Sequence, residues 1–190
     1  MNILIINAGC KVNGHGGTLS KTMVDEAVKT LTGLGHEVVV TDLNSEWNVT
    51  DEATKVLAAD AIIVQTPGWW MSTPWQFKKY EDEVFCEPRM QANDGRTRSD
   101  PSKKYGSGGV HTGKKYMLSS TWNAPLEAFT DPKQFFEGRG FDGLFMPVHK
   151  TFEFLGMQKL PSFMVNDVFK NPTIEADLKR WEAHLKQVFG

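Results

Sequence analysis

Short, uninterrupted apolar runs alternate along this chain with stretches in which apolar residues return every three or four positions. Asn2-Ile3-Leu4-Ile5-Ile6-Asn7 is the first run. It is dominated by β-branched Ile and has no polar alternation, the pattern of a strand buried on both faces. A polar, glycine-bearing loop follows from Ala8 to Gly17. Leu19, Met23, Ala27, Leu31 and Leu34 then recur at helical spacing, flanked by Val24 and Val28, with Gly35 placed to end the helix. Glu37 to Thr41 predicts a second strand, Asp51 to Ala59 a short helix, and Ala61 to Gln65 a third strand closed by Thr66-Pro67-Gly68. A helix starting near Pro74 carries Phe77, Tyr80, Val84 and Phe85. Lys115 to Ser120 and Ser162 to Asn166 predict strands four and five. A last helix opens near Pro172 and sets Ile174, Leu178, Trp181, Leu185 and Val188 on one stripe.

Buried strands alternating with amphipathic helices imply a parallel sheet covered on both faces. Five such units in 190 residues match an α/β, flavodoxin-like doubly wound sheet of five parallel strands, with ligands at the carboxyl ends of the strands. The stretch from Glu87 to Gly113 has neither period and is rich in Gly, Ser, Asp and basic residues. A loop of that length is functional or an interface arm far more often than filler. There is no internal repeat and no second apolar core, so residues 1–190 read as a single domain with one excursion at about 87–113.

Composition narrows the class. With 21 Lys plus Arg against 23 Asp plus Glu, the formal charge is −2, without the basic excess of a duplex-DNA binder. Cys10 and Cys86 are too few for a disulfide framework or a zinc site. The N-terminal segment has no basic region before its short apolar run, and no stretch reaches the length of a membrane span. The expectation is a soluble, reduced, cytoplasmic protein without nucleic-acid or integral membrane association.

Three loops leave the same predicted edge of the sheet. In the first, Gly14, Gly16 and Gly17 permit close backbone approach, Thr18, Ser20 and Thr22 offer hydroxyls, and the following helix N-terminus suits a phosphate. His15 would be a donor to such an anion. A plain glycine turn with a Thr/Ser cap is the alternative, since the spacing is neither G-x-G-x-x-G nor a P-loop. The second loop, Pro67-Gly68-Trp69-Trp70-Met71-Ser72-Thr73-Pro74-Trp75, places three tryptophans within seven residues. They offer a flat aromatic ligand a stacking surface, or else form a satellite cluster or subunit interface. The third, Ser120-Thr121-Trp122-Asn123-Ala124-Pro125, combines backbone N–H groups with the Thr121 hydroxyl and the Asn123 amide, though alone it is a strand end with a turn. A phosphate cradle, an aromatic slot and a polar clamp on one edge fit a flavin nucleotide.

Longer strings make the resemblance specific. Pro67-Gly68-Trp69-Trp70-Met71 with Pro74-Trp75 and Lys78-Lys79-Tyr80, Asp94-Gly95-Arg96-Thr97-Arg98, Asp100 through Gly109, Gly113 through Ser119, Thr121-Trp122-Asn123-Ala124-Pro125 and Phe154-Leu155-Gly156-Met157 together resemble the flavodoxin-like NAD(P)H:quinone oxidoreductases over essentially the whole chain. The resemblance implies non-covalent FAD, NADPH or NADH as hydride donor, ping-pong hydride transfer through flavin N5 to a quinone, a homodimer, and a protective role in quinone or oxidative stress. The flavin positions it implies are His15, Gly16, Gly17, Thr18, Leu19, Ser20 and Thr22 from the first loop, and Pro67, Gly68, Trp69, Trp70 and Met71 from the second. Thr121, Trp122, Asn123 and Ala124 come from the third, and Tyr105 from the excursion. Relatives carry the first-loop histidine one residue further from the helix. Larger quinone reductases use a Tyr–His pair beside the flavin, but the matching Phe135-Phe136-Glu137-Gly138 has no Tyr, so no proton donor is assigned.

A flavodoxin-type electron carrier and a same-fold reductase of azo, nitro or chelate substrates are the rivals. The modest charge, with Arg96, Arg98, Lys103 and Lys104 in one loop, argues against the carrier. His111, His149 and His184 lack ligand spacing, and no metal is expected. Asp25, Glu26, Glu81, Asp82 and Glu83 read as solvated helix faces.

Overall fold

The computed structural model describes residues 1–190 apart from Asn13, His15 and Ala92. Four long parallel strands, β1 (Asn2–Asn7), β2 (Glu37–Asp42), β3 (Ala61–Pro67) and β4 (Lys115–Thr121), are ordered β2-β1-β3-β4. The fifth position is shared by two short pieces, β5 (Gln158–Lys159) and β6 (Phe163–Val165), both parallel to β4. Sequence patterning anticipated only the second piece. Pro161 lies between them, and a residue without an N–H cannot continue the ladder.

Helices α1 (Thr18–Gly33), α2 (Val49–Ala58), α3 (Trp75–Val84), α4 (Glu127–Thr130), α5 (Gly140–Leu144), α6 (Met146–Phe154) and α7 (Ile174–Phe189) connect the strands. Alternate strand residues face opposite layers. Ile3, Ile5, Ala61, Ile63 and Met117 pack on α1 and α7 through Met23, Leu31, Trp181 and Leu185. Leu4, Ile6, Ile62, Val64 and Leu118 pack on α2, α3 and α6 through Val56, Phe77, Tyr80 and Phe152. The Trp181 indole N–H donates to the Met23 carbonyl at 3.0 Å, tying α7 to α1. β2 is one edge of the sheet, and Val39 and Val40 stay exposed on it.

The short helices α4 to α6 have no counterpart in the periodicity reading. They are only four to nine residues long and crowded with Phe, so no stripe emerges. The excursion contains neither helix nor strand among its described residues. It is nonetheless pinned to the domain. The His111 N–H donates to the Leu155 carbonyl at 2.9 Å, and a Cβ on Gly109 would lie 2.3 Å from the Gly156 nitrogen. Among the described residues no helix is long and apolar enough to cross a membrane.

Candidate functional site

Parallel register brings the strand ends level. Asn7 pairs with Gln65, Pro67 with Thr121, and Thr121 with Val165. The Gly68 N–H donates to the Thr121 carbonyl at 2.9 Å, so the second and third loops leave the sheet already bonded. Gly68 is there because nothing larger fits: a Cβ would stand 2.4 Å from the Trp122 ring.

The second loop then folds into a tight turn. Trp69 and Ser72 exchange backbone hydrogen bonds of 2.8 and 3.0 Å, leaving Trp70 and Met71 as the two central residues, with φ of 45° and 67°. Asn-Gly ordinarily occupies such a turn. Holding two bulky side chains in the left-handed region costs roughly 1–2 kcal/mol each. Trp70 is 91% exposed and Met71 44% exposed, so burial does not repay that cost within this chain.

The third loop is the opposite case. Trp122 is 5% exposed and meets Phe129, Phe136 and Phe145 edge-on at 5.2, 5.8 and 6.0 Å. Its indole N–H and the neighbouring Ser120 hydroxyl have no hydrogen-bond partner among the described residues. Above them is a cavity of about 290 Å³ lined by Gly68, Trp70, Met71, Trp122, Asn123 and Ala124, with Phe135 and Phe136 closing one side. A second cleft, of about 670 Å³, runs from Val12, Trp69 and Trp70 past Trp75 and Gln76 to Pro147 and Thr151 of α6.

The first loop supplies an open helix end. Gly17, with φ of 83°, begins α1 without a side-chain cap, and the first turn holds no acidic residue. The Thr/Ser cap of the alternative reading is not found among the described residues. Thr18 and Thr22 are exposed, but the Thr22 hydroxyl donates back to the Thr18 carbonyl at 3.1 Å. Leu19 is half-buried and Ser20 is buried against Gly9. A Cβ on Gly16 would lie 3.5 Å from Trp69 Cζ2, so the first and second loops are in contact. His15, expected in this cradle, lies outside the described residues. Burial and the Asp42 carboxylate push the Cys10 thiol up to about 12, which makes it inert as a nucleophile.

Tyr105 is not brought to these loops within one chain. It is 70% exposed, stands 5.6 Å from Phe154, and shares a separate cavity with Lys78, Phe85 and Lys150. Glu81 corrects a sequence reading. It is not on a solvated face but buried at 6% exposure, and it lines both that cavity and the 670 Å³ cleft. Its spacing from Phe77 and Val84 put it on the apolar stripe, a signal masked by the acidic neighbours Asp82 and Glu83. Among the described residues no group of three or more His, Cys, Asp or Glu is arranged to hold a metal.

An uncapped helix N-terminus, unpartnered buried donors under a cavity and an exposed aromatic turn fit a phosphate-bearing ring ligand such as a flavin nucleotide. A family model described as the flavodoxin-like fold matches residues 1–187. The chain is 48% identical over 193 residues to NADPH:quinone oxidoreductase MdaB of Haemophilus influenzae, with all of both chains covered. It is 45% identical over 192 residues to an uncharacterised protein of Schizosaccharomyces pombe, covering all of this chain and 98% of that one. Among solved structures, a putative quinone reductase from Klebsiella pneumoniae superposes with a TM-score of 0.79 at 21% identity, over 98% of this chain and 83% of that one. General stress protein 14 of Treponema denticola, solved in complex with FMN, gives 0.67 at 16% identity, over 98% and 97% of the two chains. At those identities the two solved structures speak to the fold alone.

Proposed function

The chain belongs to the flavodoxin-like fold family, and from that premise we propose that it catalyses the two-electron reduction of quinones by NAD(P)H with bound FAD. Identity of 48% along the full length of an enzyme named NADPH:quinone oxidoreductase supports the reaction class. The observation that carries the reading is structural. Three loops meet at one sheet edge, and one of them holds Trp70 and Met71 in a strained, exposed turn that folding alone leaves uncompensated. Strain of this kind persists where a ligand makes use of it.

FAD would supply the relay of an electron pair, as hydride, from nicotinamide to quinone. The chain's residues do the rest. Backbone N–H groups at the start of α1, from Thr18 to Ser20, hold the phosphates with help from the helix dipole. Pro67, Gly68, Trp69, Trp70 and Met71 form one wall for the ring. Thr121, Trp122, Asn123 and Ala124 present donors at its polar edge, and the unpartnered Trp122 indole N–H is one of them. Nicotinamide leaves before the quinone enters against the same ring, which is the ping-pong order. Tyr105, exposed and away from its own chain's loops, completes the site of a second copy in a homodimer. Product formed in one two-electron step avoids radical release, and that is the basis for a protective role.

The test is direct. Purified protein should carry a flavin absorbance that NADPH or NADH bleaches and menadione restores. Chromatography of the heat-released cofactor should give FAD rather than FMN. Flavin that neither nucleotide bleaches would sink the reaction, and greater turnover of an azo dye than of menadione would shift the substrate class.

A further inference from the structure

Glu81 lies inside the fold with chemistry unassigned. It projects from the buried stripe of α3 and is 6% exposed. Its Oε1 has no hydrogen-bond partner among the described residues, and neither has Oε1 of Gln76 on the same helix. Both side chains line the cleft walled by Trp69, Trp70, Trp75, Pro147 and Thr151. Lys78 does not neutralise the carboxyl, because it is exposed and paired with Asp82. Buried oxygens left unpartnered are uncommon and call for a ligand or a proton. A proton on Glu81 turns its oxygen into a donor, a quinone carbonyl can accept from that O–H, and the quinone ring fits between the aromatic walls.

We propose that this cleft is the quinone subsite, and that Glu81 in its acid form binds one quinone carbonyl and delivers the proton the reduction requires. The inference rests on the reductase reading and deepens it. One quinone, one hydride from the reduced nicotinamide and one proton give one hydroquinone. The hydride's electron pair makes the ring aromatic and its hydrogen ends on one oxygen. The Glu81 O–H bond breaks as the other quinone O–H forms, and solvent then reprotonates the carboxylate. The charged groups facing this position are Lys78 and Asp82 on α3, with Lys150 and Glu153 on α6 around the adjoining cavity. Burial dominates them and raises the carboxyl to about 7, with Lys78 and Thr151 pulling down and Asp82 pushing up. About half of the carboxyls therefore keep the proton at pH 7, where it is available for transfer.

The test compares the flavin-loaded wild type with Glu81→Gln and Glu81→Leu. In the wild type, reoxidation by menadione should slow about tenfold per pH unit above roughly pH 7. In Glu81→Gln that dependence should vanish, with a rate near pH 6 lower by on the order of 100-fold. Menadione titrated against tryptophan fluorescence should bind Glu81→Leu more weakly, about tenfold, and Glu81→Gln nearly as well as wild type. Variants that keep the wild-type pH profile and menadione affinity overturn the proposal. Should NADPH fail to bleach the wild-type flavin, the reductase reading falls by itself. The fluorescence titration then still decides the subsite: weakened binding in Glu81→Leu supports it and unchanged binding refutes it.

Discussion

Two tryptophan-bearing loops stand side by side at the carboxyl edge of the sheet, joined through the Gly68 to Thr121 hydrogen bond. After β4, Trp122 turns inward into a cluster of three phenylalanines. After β3, Trp70 turns outward from a turn whose backbone favours glycine. The same residue type thus does opposite work on the walls of one cavity. Burial explains the first ring, all but its unpartnered indole N–H. The second costs backbone strain and returns no packing within this chain, so its return must come from a ligand or a second subunit. The contrast separates what holds the domain together from what the domain holds.

The contrast breaks most visibly at Trp122. Trp122→Ala should cost about 3–5 kcal/mol in urea unfolding, because it opens a cavity at the centre of the aromatic cluster. A cost under about 1 kcal/mol would mean the ring belongs to the ligand rather than the core. Gly68→Ala should cost about 1–3 kcal/mol, since its methyl meets the Trp122 ring and one of them must move. Flavin affinity should fall with it, because Gly68 lines the cavity.

A third change probes the other uncompensated group. The Glu81 carboxyl is raised in the fold from its ordinary 4.5 to about 7. Folded and unfolded forms are both protonated below about pH 4, so burial of the charge costs nothing there. As the pH rises from about 4.5 to 7 the unfolded chain loses its proton first, and stability declines before levelling off. Glu81→Leu should therefore gain about 3 kcal/mol at pH 8 and much less near pH 4, measured as thermal unfolding at both values. An equal gain at the two pH values would refute the raised carboxyl. Trp70→Ala should have the smallest effect on stability, within about 0.5 kcal/mol, while weakening FAD binding by about tenfold on fluorescence titration. Loss of stability in this variant would place Trp70 in the structural cluster and erase the contrast.

Legibility in the sequence followed the same divide. β1 and β3 were plain from Ile3–Ile6 and Ala61–Val64 because burial on both faces leaves an apolar run without alternation. The fifth strand was only half legible, since its first piece is two residues, Gln158 and Lys159, with nothing apolar in it. α4 to α6 were missed because Phe129, Phe141 and Phe152 are spread over three short helices, so no one stripe gathers them. At the site, the aromatic loop stood out by composition alone, whereas the inward turn of Trp122 depends on Phe129, Phe136 and Phe145, which no local pattern connects to it. Glu81 was hidden by Asp82 and Glu83: a carboxylate among carboxylates reads as surface until its neighbours in space are known.

One measurement bears most directly on the account, a titration of flavin-free protein with FAD followed by tryptophan and flavin fluorescence. Saturation at one FAD per chain, with quenching that Trp70→Ala largely removes, is the outcome expected of a ligand seated against the strained turn. Well-folded protein that takes up neither FAD nor FMN would leave that turn without an occupant and contradict the account.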